Sequence, residues 1–341
     1  MTRYQRAIAT FLTSIVILLG TGIPSMAQEP FAWETVKHNG MDYVTLRSVK
    51  DFYNFTNIKY GAVITMENTK VKMEVRPSTQ RCRMNGVLFI LSHPVLAYNG
   101  RYLLSRTDLI KLIDPVMRPT YIKSARPFNT VVVDAGHGGK DPGSLGSYSN
   151  EKVYTLKIAR LVRDMLQQKG CKVVMTRDSD VFISLANRVR IANKYPGAIF
   201  ISIHFNSGNA RAKGIETFTI SPVGVPHMGR GIKPRDYNMV PGNIMDSASI
   251  ALATAAHSRI MMYLNHESSG KNFRMEDRGI KRARFNVLTG IKIPAILVEG
   301  GFLSNRTEAG KVNSSSYQST LAAAIVRAVD VYRDSIDKGG N

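Results

Sequence analysis

The sequence predicts an α/β architecture, a twisted and mostly parallel sheet with helices on both faces, preceded by a small β-rich α+β domain. Three observations predict it. From residue 128 onward, β-branched strand runs alternate with amphipathic helical runs, the pattern of a sheet covered on both sides. Before that, short alternating strands are punctuated by Asn-Gly turns, the mark of hairpins. Between the two, residues 117–127 carry two prolines and little apolar periodicity, so they read as a linker. A chain of 341 residues is long enough for two domains. Its 44% hydrophobic and 21% charged content allows each of them a packed core and excludes bulk disorder.

The first 27 residues read as a secretory leader. Arg3 and Arg6 give a positive start, Ala7 to Gly20 is an apolar run, and Ser25-Met26-Ala27 offers a small-x-small cleavage site before Gln28. The competing reading, an uncleaved anchor, needs a run of ~20 apolar residues, which this stretch does not reach. No later stretch is long and apolar enough to span a bilayer. A periplasmic or secreted protein is therefore expected, monomeric and with no membrane anchor after cleavage. The formal net charge of +21 falls to +19 once Arg3 and Arg6 leave. Such a field favours polyanionic partners; export argues against nucleic acid and for envelope polymers bearing carboxylates or phosphates. Cys82 and Cys171 fall in different domains, and two free, buried thiols are expected.

Residues 28–116 contain a weak internal repeat. Asn39-Gly40 precedes MDYVTLRSVKDFY, and Asn99-Gly100 precedes RYLLSRTDLIKLI; each reads as turn, strand, capping residue and helix. Val63–Met66, Val71–Val75 and Val87–Leu91 alternate as half-buried strands do. This pattern resembles the β-rich module first named from the N-terminus of copper amine oxidases, an accessory domain of exported bacterial proteins. Copper is not implied, because His38 and His93 lack ligand-like spacing. The resemblance implies docking to substrate or to an envelope activator or partner protein.

The second domain, residues 128–337, reads in order as strand Thr130–Val133, helix Glu151–Lys169, strand Lys172–Thr176, helix Ser184–Lys194 and strand Ala198–Ile203. Strand Gly214–Ile220, helix Ser247–Leu264, strands Phe285–Leu288 and Ala295–Val298, and helix Ser316–Arg333 follow. Residues 221–246 form a long Pro/Gly-rich connection, which places a substrate-contacting loop ahead of an autoinhibitory helix. Three apolar strands end alike: TVVVDAGHGG runs into His137, AIFISIHFN into His204 and AILVEGGF into Glu299. Ligands gather beyond the carboxyl ends of such strands, so parallel neighbours would bring these side chains together. Glu151, opening a helix, is less distinctive, since a glutamate there also complements the helix dipole. Two histidines and a carboxylate make a His₂Glu zinc site with one position left for water; a second carboxylate then serves as base. His137, Glu151 and His204 can fill the ligand roles and Glu299 the last.

The segment from about Phe128 to Tyr332 resembles the zinc-dependent N-acetylmuramoyl-L-alanine amidases of bacterial cell walls. The matching pieces are VVVDAGHGGKDPG, EKVYTLKIARLV, LANRVRIAN, ISIHFNS, DRGIKRARFNVL and ILVEGGFLSN. The resemblance implies Zn²⁺ on His137, Glu151 and His204, catalysis by Glu299, and peptidoglycan as substrate, cut at the amide between the muramic acid lactyl group and L-alanine. The family often has Lys where this chain has Asn150, which alters local electrostatics only. Asn206 is expected to orient substrate or water. Arg188 pairs either with a peptide-stem carboxylate or with a sheet neighbour, and Arg278 and Lys281 either contact substrate acids or form a solvated face. The rival reading keeps the metal and changes the substrate, as in a zinc peptidase or deacetylase.

Overall fold

A computed structural model describes residues 31–118, 122, 125–265 and 273–337. The leader expected at 1–27 lies outside the described residues, as does part of the 117–127 linker. The chain separates into two units, residues 1–121 and 122–340.

In the first unit, β1 (Thr35–His38) and β2 (Met41–Thr45) form a hairpin in which His38 faces Met41. Asn39 and Gly40 both take positive φ, as a two-residue turn of this hand requires. Thr45 then caps α1 (Leu46–Phe52) by accepting from the Ser48 amide. After a meander of five antiparallel strands, β3 (Asn57–Lys59), β4 (Ile64–Glu67), β5 (Lys72–Val75), β6 (Arg81–Met84) and β7 (Val87–Ile90), the same device returns. β8 (Leu96–Tyr98) turns through Asn99-Gly100 into β9 (Arg101–Ser105), and Ser105 accepts from the Asp108 amide at the start of a helical stretch over 106–117. β2 pairs with β9, so the two copies of the repeat lie side by side. Strands β3 and β6 were not expected. Arg81 and Arg83 flank the buried Cys82, and two cations in four residues mask the alternation.

The second unit holds a sheet ordered β11-β10-β12-β15-β13-β14. Its members are β10 (Thr130–Ala135), β11 (Lys172–Met175), β12 (Ala198–Asn206), β13 (Ile215–Ile220), β14 (Asp277–Ala283) and β15 (Ala295–Phe302). Strands β11, β10, β12 and β15 are parallel, β13 runs antiparallel to β15, and β14 is parallel to β13. Between β10 and β11 runs α2 (Glu151–Gln168), which buries Tyr154, Ile158, Val162 and Leu166 at helical spacing. Fully burying each of the three aliphatic side chains among them is worth roughly 1.5–3 kcal/mol. Gly170, at φ 79°, ends it as a left-handed cap, its amide bonding back to Gln167. The remaining helices are α3 (Leu185–Asn193), α4 (Asp246–Asn265), α5 (Asn286–Gly290), α6 (Arg306–Asn313) and α7 (Ser315–Asp337), with α7 packed on α2 and α4. Both cysteines are free and buried. Among the described residues no helix is long and apolar enough to cross a membrane.

One expected strand is a correction. Phe285–Leu288 is not a strand: Phe285 is the N-cap of α5, and the strand lies earlier, at β14. Its sequence DRGIKRA reads as surface because Lys281 and Arg282 are cationic. Both are buried, paired with Glu216 and Asp246 respectively. The connection over 221–246 carries two short 3₁₀ turns, Pro234–Tyr237 and Pro241–Met245. It is pinned by fully buried Asp236, which accepts from Arg230 at 2.6 and 2.7 Å and from the Lys233 amide, with Arg284 at 3.3 Å.

Candidate active site

Parallel pairing brings the ends of β10, β12 and β15 to one rim. Ala135 faces Ile203, and His204 faces Glu299. Immediately after β10 the chain turns through Gly136, His137, Gly138 and Gly139, with the last three at positive φ. His137 adopts a left-handed backbone that non-glycine residues rarely take. It is held there at two points: its Nδ1 lies 2.8 Å from Asp141 Oδ2, and its carbonyl accepts from Arg188 at 2.6 Å. Asp141 is itself fixed by the Gly143 amide. Such a carboxylate fixes the imidazole tautomer and leaves Nε2 as the outward donor atom.

The first residue of α2 supplies Glu151, which is 2% exposed. Its Oε1 lies 2.8 Å from His204 Nδ1 and accepts from the Phe205 amide. Its Oε2 accepts from the Ser144 amide and lies 3.2 Å from His137 Nε2. Burial works against the charged carboxylate, but hydrogen bonds and charge from His137 and His204 hold its pKa well below the usual range. Burial likewise disfavours a charged His137, and Glu151 with Asp141 overcomes this, so its pKa is raised. Glycines make the space. A Cβ on Gly136 would sit 2.4 Å from the His204 ring, and one on Gly143 would sit 2.6 Å from Glu151 Oε2. The donor atoms of His137, Glu151 and His204 all lie within 4.8 Å of one another.

Glu299 stands on the neighbouring strand in a different setting. Its Oε2 is sealed from solvent and has no hydrogen-bond partner among the described residues. Burial, then the negative charges of Glu151 and Glu216, push its pKa well above the ordinary glutamate value. A carboxyl group with no partner of its own, on the strand position opposite His204 and close to the charge of Glu151, is equipped to exchange protons with something not belonging to the protein.

Asn206, Arg278 and Lys281 converge on one residue that sequence reasoning missed. Glu216, 4% exposed, accepts from Asn206 Nδ2 at 2.9 Å, from Lys281 Nζ at 2.5 Å and from Arg278 Nε. Lys281 is buried, so the solvated face is ruled out for it. Arg278 keeps a third of its side chain exposed, with its guanidinium carbon 5.0 Å from the Phe302 ring centroid.

Of the two alternatives for Arg188, the structure shows the sheet neighbour. Arg188 is 3% exposed and bonds Asp134 at 2.6 Å, as well as the carbonyls of Ile183, Ala135 and His137. Its donors are committed to the sheet neighbour rather than offered to a substrate acid. Asp134 also accepts from Thr176 and Ser202, and Arg177, another residue sequence reasoning missed, bonds the Ala135 and Gly136 carbonyls. Two arginines thus brace the turn that carries His137. Beside that turn lies a cavity of about 470 Å³ walled by Phe182, Leu185, Phe285 and Val287 next to His137 and His204, in the size range of ligand pockets.

Residues 131–331 match the family model described as N-acetylmuramoyl-L-alanine amidase. Bacillus subtilis (strain 168) has a relative described as uncharacterized protein YqiI, 35% identical over 205 residues, covering 60% of this chain and 85% of the relative. The N-acetylmuramoyl-L-alanine amidase AmiC of Escherichia coli O6:H1 (strain CFT073) is 27% identical over 336 residues, 93% of this chain and 78% of that one. Among solved structures, the catalytic domain of CwlV, an N-acetylmuramoyl-L-alanine amidase from Bacillus (Paenibacillus) polymyxa var. colistinus, aligns with a TM-score of 0.48 at 31% identity. It covers 60% of this chain and 98% of that one.

Proposed function

The chain belongs to the N-acetylmuramoyl-L-alanine amidase family, and on that premise we propose a zinc amidase with His137, Glu151 and His204 as ligands and Glu299 as base. The reaction is hydrolysis of peptidoglycan at the amide joining the muramic acid lactyl group to L-alanine. The observation that carries the assignment of roles is the contrast between two glutamates on one rim. Glu151 has both oxygens engaged within a cluster of metal-ligand geometry, while Glu299 keeps an oxygen with no partner.

The donor set fits zinc. Two imidazole nitrogens and a carboxylate oxygen are the donors of a catalytic site, whose ligand atoms sit roughly 3.3 Å apart around a tetrahedral ion. The 3.2 Å between His137 Nε2 and Glu151 Oε2 agrees with that spacing. Bound there, the ion supplies Lewis-acid polarisation of the amide carbonyl and makes water a nucleophile at neutral pH. The chain's own groups do the rest. Asp141 and the Arg188 bond to the His137 carbonyl keep that imidazole aimed, and the Phe205 and Ser144 amides hold the two Glu151 oxygens in place. Glu299 takes a proton from the attacking water and delivers it to the alanine nitrogen, which leaves as an amine. Its raised pKa suits the delivery half of that task.

The same reading takes residues 1–27 as a cleaved leader and 28–116 as a docking module for substrate or an envelope protein. Residues 117–127 are the linker and 128–337 the catalytic domain, working in the periplasm or outside the cell. The test is digestion of purified peptidoglycan by protein stripped of metal and then reloaded with zinc, with products identified by mass. New L-alanine amino termini after reloading support the proposal; released acetate, or cleavage within the peptide stem, overturns it.

A further inference from the structure

Glu216 and Glu299 face each other across the β13–β15 pair. Like charges directly opposite in a sheet are destabilising unless compensated. Compensation here goes entirely to one side. Glu216 collects Lys281, Arg278 and the Asn206 amide, whereas Glu299 Oε2 has no partner among the described residues. Glu216 thus has two cations on one carboxylate, one more than its own charge requires. Of the other acids close by, Asp277 pairs with His257, the exposed Glu276 faces Lys213 at 4.0 Å, and Glu308 accepts from the Gly214 and Phe302 amides.

The two cations differ in what they offer. Lys281 is buried, with its ammonium spent on Glu216. Arg278 is exposed enough to meet a ligand, its Nε donates to Glu216, and its guanidinium lies over the Phe302 ring. A contact of Nη1 with the Lys213 carbonyl is long at 3.5 Å, and among the described residues Nη2 has no hydrogen-bond partner. A guanidinium held on one edge by a carboxylate and on one face by an aromatic ring keeps its remaining edge pre-aimed, the arrangement suited to a planar carboxylate.

We infer that Arg278 is a specificity-determining residue that binds a carboxylate of the peptide leaving group, and that Glu216 is the positioning residue that sets it. The inference rests on the amidase reading above. Lys281 has a defined part: it neutralises Glu216, so the charge of Arg278 stays available for substrate. Phe302 faces Asn206 across the β12–β15 pair, which puts this arginine on the same rim as His204 and Glu299.

The experiment compares two muramoyl-L-alanyl peptides that are identical except that the peptide carboxylates are free in one and carboxamides in the other. The zinc-loaded full chain is expected to favour the free acid by about tenfold in kcat/KM, carried mainly by KM, as expected for one charged hydrogen-bonded pair. Arg278→Gln and Glu216→Gln are each expected to reduce the preference to twofold or less, with zinc content unchanged, and Glu216→Asp to restore part of it. The preference is a ratio within each variant, so a general loss of activity does not imitate its loss. Should Glu216→Gln fail to fold, Arg278→Gln at its exposed strand end decides the matter alone. A wild-type protein that hydrolyses both peptides equally, or an Arg278→Gln protein that keeps the wild-type preference, overturns this inference and leaves the amidase reading standing. A wild-type protein that hydrolyses neither overturns both.

Discussion

Replacing Gly136 by alanine isolates the seat of the His204 ring. The φ of Gly136 lies outside the left-handed region, so alanine adds no backbone strain. The added Cβ would lie 2.4, 2.6 and 2.8 Å from Cε1, Nε2 and Nδ1 of His204, where ordinary contact starts at 3.4 Å. The imidazole must therefore retreat by about 1 Å, and a misplacement of that size in a catalytic constellation costs on the order of 10²-fold. Glu151 Oε1, now 2.8 Å from His204 Nδ1, would lose its partner in the same movement. The expected result is weaker zinc retention on dialysis and turnover of peptidoglycan fragments reduced about 100-fold, with the protein still folded by circular dichroism. Gly197→Ala is the matched control, because no heavy atom lies within 4 Å of its added Cβ. A folded Gly136→Ala protein with wild-type zinc content and turnover would refute the placement of His204 as a ligand.

Glu299→Gln should keep zinc at wild-type stoichiometry and lose about 10²–10⁴ in kcat, the share of a general acid–base group; near-normal kcat would remove it from the base role. Arg188→Met leaves Asp134 buried without its cation and should cost about 3–5 kcal/mol in urea unfolding; a loss under about 1 kcal/mol would deny that the pair braces the His137 turn. The same pair predicts an acid limb. Burial alone would raise the Asp134 pKa, but Arg188, with hydrogen bonds from Ser202 and Thr176, lowers it. Its contribution to stability is therefore whole above the unfolded value of ~3.9 and lost as pH falls through the lower folded value. The urea midpoint should drop more steeply below pH ~4 in wild type than in Asp134→Asn, and identical slopes would contradict the assignment.

Much of this site was legible before any coordinates because the sequence puts a titratable residue directly after an apolar run. His137, His204 and Glu299 each stand at the carboxyl end of a largely apolar strand run, and parallel register does the rest. Glu151 was legible only in company, since its helix-start position has an ordinary explanation. Glu216 was hidden for a physical reason. In GIETFTI it shares a face with Phe218 and Ile220, but nothing local names what would compensate its charge, and its cations lie 62 and 65 residues further along the chain. Strand β14 disappeared through the same effect, because buried Lys281 and Arg282 look like surface until their partners Glu216 and Asp246 are known. The alternatives left open for Arg188 turned on Asp134, 54 residues away. Local pattern exposes groups that stand alone and conceals charges that are paired across the fold.

Anomalous scattering at the zinc edge, recorded from crystals of zinc-loaded protein, addresses the site most directly. The account predicts one peak about 2.0–2.2 Å from a nitrogen of His137, a nitrogen of His204 and an oxygen of Glu151, with Glu299 outside bonding distance. A peak held by Glu299 in place of Glu151, or a zinc-loaded crystal with its ion elsewhere, would contradict it.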